Sequence, residues 1–108
     1  MKFNMSRELY DYLEEVSDLS LRDDNSGRCM YGATCFGIVT SSLATVAKEF
    51  DQALCDVMSM CASDEPEVDA IAEEAEELRD MDIFQNYCQD SMGLDYIVYF
   101  PGVTVESE

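Results

Sequence analysis

The sequence contains no histidine and few basic residues, with 6 Lys and Arg against 24 Asp and Glu and a formal net charge of −18. Without histidine, a serine or cysteine nucleophile lacks its commonest base, and mixed zinc sites lack one of their usual ligands. A glycine-rich phosphate loop and a nucleophile-elbow motif are also missing. We therefore expect a protein that is not an enzyme and that holds no cofactor or metal ion.

Cysteine pairs of the CxxC type are missing as well, although the chain has five cysteines, at positions 29, 35, 55, 61 and 88. An odd number without zinc-ligand spacing is typical of thiols that are mostly buried in a reducing compartment. The N-terminal residues become acidic before an apolar segment appears, which is unlike a secretion signal. The sequence thus predicts a cytoplasmic protein.

A long hydrophobic run is absent too. The longest uncharged stretch, residues 29–47, contains five Ser or Thr residues and two glycines, so it is poorly suited to a membrane. The negative charge also disfavours direct contact with nucleic acid and with anionic membranes, and it favours association with a basic partner.

The remaining composition indicates a folded chain, because 47% of its residues are hydrophobic and its length suits one domain. We predict a single acidic α+β domain over residues 1–108, with about four helices packed on a small, mainly antiparallel sheet.

Four segments have the apolar period of a helix. They are residues 6–16, with Asn4 or Ser6 as N-cap; residues 43–61, whose apolar stripe should be core; the acidic residues 64–82, with Asp64 as a possible cap; and residues 83–93, ending at Gly93.

Two segments are typical of strands. Residues 96–100 (YIVYF) are the clearest, and residues 29–40 suit a buried strand, with a buried helix start as the alternative. Residues 23–27 should form a turn. Residues 103–105, after the Pro101-Gly102 turn, are a short returning strand, an edge strand or part of a wider connection.

Residues 64–82 are the most unusual part of the sequence, with ten carboxylates and Arg79 as their only basic residue. The same segment keeps apolar residues at helical spacing, so we expect an amphipathic helix. Like charges four residues apart, such as Glu73 and Glu77, each destabilise such a helix by about 0.2–0.5 kcal/mol. A surface selected only for solubility would mix both signs, so the pattern favours a function in binding.

The spacing of these charges suggests which partner they bind. At a rise of about 1.5 Å per residue, the segment has one charge per roughly 3 Å, close to the roughly 3.4 Å between phosphates along one DNA strand. We therefore expect a DNA mimic that occupies the basic, nucleic-acid-binding surface of a target protein. The predicted contact residues are Asp69, Glu73, Glu74, Glu76, Glu77 and Asp80.

In composition the chain is similar to the DNA-mimicking anti-restriction and anti-CRISPR inhibitors that phages and plasmids encode. No motif carries this similarity, so no residue role is transferred from those proteins. The alternative hypothesis is a small acidic adaptor or secretion chaperone that binds a basic or apolar client. The seven methionines would suit adaptable contacts with such a client. The sequence leaves the target and the oligomeric state open.

Overall fold

The computed structural model describes residues 2–24, 35–60 and 66–106, which form an α+β domain. Its strands form one antiparallel sheet and one parallel pair. Its α-helices are α1 (Arg7–Val16), α2 (Val46–Met60) and α3 (Pro66–Met81). Its strands are β1 (Phe3–Met5), β2 (Ser20–Asp24), β3 (Cys35–Thr40), β4 (Cys88–Met92), β5 (Asp95–Phe100) and β6 (Val103–Val105). The predicted fold class is confirmed, while the described residues contain three α-helices and not about four.

The main sheet has four antiparallel strands in the order β2-β3-β5-β4. Because side chains alternate along a strand, Phe36 and Ile38 of β3 share one face with Val98 and Phe100 of β5. This face carries the main core, which buries apolar residues from all three helices. A smaller cluster of Cys35, Ile97 and Tyr99 lies on the opposite face.

The two ends of the described chain meet in a second, two-stranded sheet. Strand β6 pairs in parallel with β1, with Phe3 opposite Val103 and Met5 opposite Val105. Residues 103–105 therefore form a strand, one of the alternatives that the sequence leaves open, but its partner is β1 and not the neighbouring β5. Strand β1 was not predicted from the sequence.

Three of the predicted helices form close to their expected positions, and the acidic one is α3, Pro66–Met81. Ser6 is the N-cap of α1, and Leu9 and Leu13 are buried as its apolar spacing predicts. The stripe of α2 is core, as predicted, but α2 starts at Val46 and not at residue 43. The Thr40 hydroxyl accepts a hydrogen bond from the Ser42 amide and donates one to the Ser42 carbonyl. These bonds hold the chain between β3 and α2 in a turn.

The predicted helix at residues 83–93 is wrong. Asp82 adopts a left-handed conformation (φ 50°) that ends α3, and only a short 3₁₀ helix, Ile83–Gln85, follows. Residues 88–92 are β4, which forms a hairpin with β5 through a turn at Gly93 (φ 64°). The hydrogen bonds to the buried strand β5 and the left-handed turn thus outweigh a local apolar period.

The predictions for residues 23–40 are confirmed only in part. Residues 35–40 form the predicted strand, not a helix, whereas residues 29–34 lie outside the described residues. Asp23 and Asp24 end β2 where a turn was expected, and residues 25–27 and the possible cap Asp64 also lie outside the description. Across the described ranges, no helix has both the length and the apolarity needed to span a membrane.

Candidate functional site: the acidic face of α3

All six predicted contact residues lie on α3, and five of them are exposed. With about 100° of rotation per residue, these five occupy a sector only about 100° wide. We call this surface the acidic face: it consists of Asp69, Glu73, Glu76, Glu77 and Asp80.

The opposite side of α3 packs against the core, so the acidic face points to solvent. Ala75 and Leu78 are fully buried in the main core, and Val68 and Ile71 pack against it. Burying such side chains stabilises the packing of a helix on its neighbours, and each buried methylene contributes about 0.8 kcal/mol. The carboxylates of the acidic face are therefore held on a packed helix, although like charges on one face repel each other.

Glu74 is separated from the acidic face and contacts the start of α1. Its two carboxylate oxygens accept hydrogen bonds from the Ser6 amide (2.7 Å) and from the Ser6 hydroxyl (2.6 Å). The Ser6 hydroxyl also accepts a hydrogen bond from the Leu9 amide (3.1 Å). In an ordinary capping box a Glu or Gln three residues after the cap would bind the cap amide, but Leu9 occupies that position here. Glu74 replaces it from another helix.

This contact assigns Glu74 a role that the sequence analysis did not foresee. Its carboxylate joins α3 to the N-terminus of α1, where a negative charge is also favoured by the helix dipole. The only sequence signal is an N-cap serine without a carboxylate or amide three residues later.

The only basic residue of the acidic segment is turned towards α2. Arg79 Nε donates a hydrogen bond to Asp51 Oδ1 at 2.7 Å, and its Nη2 lies 3.5 Å from Asp51 Oδ2. The hydrogen bond to the Asp51 carboxylate raises the pKa of Arg79, and the negative charge of Asp51 adds to this effect. Arg79 therefore pairs with α2 and is not part of the acidic face.

A second cation is also paired within the fold. Arg7 Nη2 donates to Asp23 Oδ2 at 2.6 Å, and the guanidinium carbon lies 4.9 Å from the centre of the Tyr10 ring. Burial raises the pKa of Tyr10 to about 12, helped by the negative charges of Glu14 and Asp23 and opposed by Arg7.

Metal-binding chemistry has little basis in the described part of the chain. No group of three or more Cys, Asp or Glu side chains there is placed to hold a metal ion. Cys35, Cys55 and Cys88 form no disulfide bond with one another, and Cys29 and Cys61 lie outside the described residues.

No model of a known protein family matches the chain, and neither a curated protein nor a solved structure is significantly similar to it.

Proposed function

We propose that this protein is a cytoplasmic, non-enzymatic inhibitor that binds the basic, nucleic-acid-binding surface of a target protein. The acidic face takes the place of DNA phosphates, as in the anti-restriction and anti-CRISPR type of anti-defence protein. The observation that carries the proposal is the composition of this face: five exposed carboxylates, while Arg79 pairs with Asp51 on α2.

The geometry of α3 supports the proposal. Asp69 and Asp80 are the two ends of the acidic face and are separated by a rise of about 17 Å, so its five carboxylates have an average axial spacing of about 4 Å. Phosphates along one DNA strand are about 3.4 Å apart. A row of Lys and Arg side chains arranged for phosphates can therefore meet successive carboxylates of the acidic face.

The contacts that α3 makes with its neighbours support the proposal further. Glu74 ties the helix to α1, Arg79 ties it to α2, and Leu78 is buried beneath it. A helix that is ordered before binding loses less conformational entropy in the complex. The net charge of −18 also favours fast association with a basic target and disfavours binding to nucleic acid itself.

The adaptor hypothesis has weaker support. The large apolar side chains that are exposed in the described residues are Met60, Tyr87 and Leu94, and they belong to three different parts of the fold. Leu94 is 99% exposed, but single exposed apolar residues are common and do not form a continuous apolar surface for a client.

The proposal can be tested by capture from a bacterial lysate that contains restriction or CRISPR proteins. The wild-type protein is immobilised beside a variant with Glu73, Glu76 and Glu77 changed to Lys. A matched control carries the same charge change on exposed residues of α1, with Glu8, Asp11 and Glu15 changed to Lys.

We expect the wild type and the α1 control to retain a nucleic-acid-binding protein that duplex DNA releases. The acidic-face variant should not retain it. Equal capture by the acidic-face variant, or a bound protein that DNA does not release, would contradict phosphate mimicry.

A further inference from the structure

A groove of about 550 Å³ lies between α2, the end of α1 and the ends of β2, β3 and β5. Its apolar lining comes mainly from the half-buried Val16 and Leu19, because Ala53 is almost fully buried and Val39 packs with the cluster on the opposite face of the sheet. Four exposed carboxylates surround these residues, those of Asp18, Glu49, Asp56 and Asp95. We call this feature the α2 groove.

The α2 groove is separate from the acidic face. On α2, its lining residues Glu49, Gln52, Ala53 and Asp56 follow the i, i+3, i+4, i+7 spacing of one helix side. Asp51, which pairs with Arg79 of α3, lies about 160° around the helix from Glu49. The groove is therefore on the flank of α2 that faces away from α3.

The charges of the groove are of one sign. The residues that line it include the four carboxylates and no Lys or Arg. Gln52 Nε2 donates a hydrogen bond to Asp56 Oδ1 at 3.0 Å, which restricts that carboxylate at the rim. Lys48 precedes Glu49 on α2 but does not line the groove. The groove thus combines an apolar area at Val16 and Leu19 with a negative rim that no Lys or Arg of its lining compensates.

This combination is complementary to arginine. An arginine side chain can lay its aliphatic stem on the half-buried side chains of Val16 and Leu19 while its guanidinium group donates forked hydrogen bonds to a rim carboxylate. Arginine suits the groove better than lysine, because its planar head is more weakly hydrated and has five donors.

We propose that the α2 groove is a docking site for an arginine-bearing segment of a partner protein. This inference goes beyond the proposed function, because it concerns a different surface and does not depend on mimicry of phosphates. Charge complementarity identifies the occupant, and the concave shape with its apolar area at Val16 and Leu19 distinguishes the groove from a merely acidic surface.

The test is a nuclear magnetic resonance titration of the ¹⁵N-labelled protein with the blocked peptide Gly-Arg-Leu-Arg-Gly. We expect the backbone amide signals of Leu19, Thr40 and Ala53 to shift. The same peptide with both arginines replaced by citrulline keeps its shape but loses its charge, so it should not produce these shifts.

Two variants with the same charge change locate the binding. Glu49→Gln with Asp56→Asn should weaken peptide binding by about tenfold or more, whereas Glu73→Gln with Glu76→Gln should change it by less than about twofold. All four side chains are exposed, and the spectra themselves report whether each variant keeps the fold.

Three outcomes would overturn the inference: shifts confined to the acidic face, equal weakening by both variants, or equal binding of the citrulline peptide. The titration contains no nucleic-acid-binding target, so its result is independent of the proposed function. If the variant with Glu73, Glu76 and Glu77 changed to Lys still binds the peptide, the groove binds arginine without the carboxylates of the acidic face.

Discussion

Glu74 shows that neighbouring acidic residues on one helix have different roles. Glu73 and Glu76 are exposed, whereas Glu74 binds both the amide and the hydroxyl of Ser6. The difference follows from rotation by about 100° per residue, which turns Glu74 towards α1. Glu74 therefore belongs to the architecture that holds the acidic face.

A comparison of two alanine substitutions tests this role. Glu74→Ala should lower the free energy of unfolding by about 1–3 kcal/mol, because the Ser6 amide and hydroxyl lose their partners. Glu73→Ala, the matched control, should change it by less than about 0.5 kcal/mol. Urea unfolding measures both, and equal effects of the two substitutions would contradict a structural role for Glu74.

Ser6→Ala provides a second check on the same contact. It should cost about 0.5–2 kcal/mol because it also removes the N-cap of α1. The double variant Ser6→Ala with Glu74→Ala should lose less free energy of unfolding than the sum of the losses in the two single variants. Fully additive losses would mean that the two side chains do not interact.

Tyr10 makes stability depend on alkaline pH. Its pKa is raised from 10 to about 12 in the folded state, mainly by burial, so the folded protein favours the protonated phenol. This contribution is complete below pH 10 and is lost as the pH rises towards 12. Tyr10→Phe should therefore lose less stability than the wild type between these pH values.

Urea unfolding at pH 9 and pH 11 measures this difference, and Tyr87→Phe, at an exposed ring, is the control. The hypothesis fails if the wild type and Tyr10→Phe lose the same stability over that interval.

At the scale of secondary structure, the sequence predicts elements whose own residues determine them. Helices α1 and α2 follow from their apolar periods, and β5 follows from its run of aromatic and β-branched residues. Strands β1 and β4 escape prediction because their structure depends on distant partners. Phe3–Met5 is three residues long and pairs with the other end of the chain, and Cys88–Met92 has a period that also fits a helix.

Gly37 controls the close approach of β3 and β5. A Cβ atom at this position would lie 3.0 Å from the Val98 carbonyl oxygen and 3.3 Å from Cδ1 of Tyr99. Gly37→Ala should therefore destabilise the protein by about 1–3 kcal/mol, since the backbone of β5 must move.

Gly93→Ala is the informative comparison, because a Cβ atom there meets nothing within 4 Å and the cost comes from the left-handed turn alone. Thermal unfolding reports both losses. Signals of the Tyr99 ring should move only in Gly37→Ala. Unchanged stability of Gly37→Ala would show that the two strands are not held so close.

At the scale of the whole molecule, the sequence locates the acidic face but not its support. Five of the six predicted contact residues share that face, because carboxylates and apolar residues alternate with the period of one helix. Three features depend on side chains from separate elements: the contact of Glu74 with Ser6, the Arg79–Asp51 pair and the α2 groove. A pattern along the sequence does not show which elements lie next to each other.

The net charge of −18 predicts a response to salt. Raising the ionic strength from about 0.01 M to about 0.15 M shortens the Debye length from about 30 Å to about 8 Å, which weakens repulsion among the carboxylates. The melting temperature should rise. The variant with Glu73, Glu76 and Glu77 changed to Lys should respond less, because its net charge is −12 (−18 + 6). A melting temperature that falls with added salt would contradict this prediction.

The central claim is that the acidic face occupies a site for nucleic-acid phosphates. Its most direct test is competition between the protein and duplex DNA for the purified target obtained by capture. The wild type and the α1 control, with Glu8, Asp11 and Glu15 changed to Lys, should raise the apparent Kd of the target for DNA as their concentration increases. The variant with Glu73, Glu76 and Glu77 changed to Lys should compete at least about 100-fold more weakly, because contacts at desolvated charge pairs contribute about 2–5 kcal/mol each. Competition by this variant equal to that of the wild type would remove the acidic face from the mechanism.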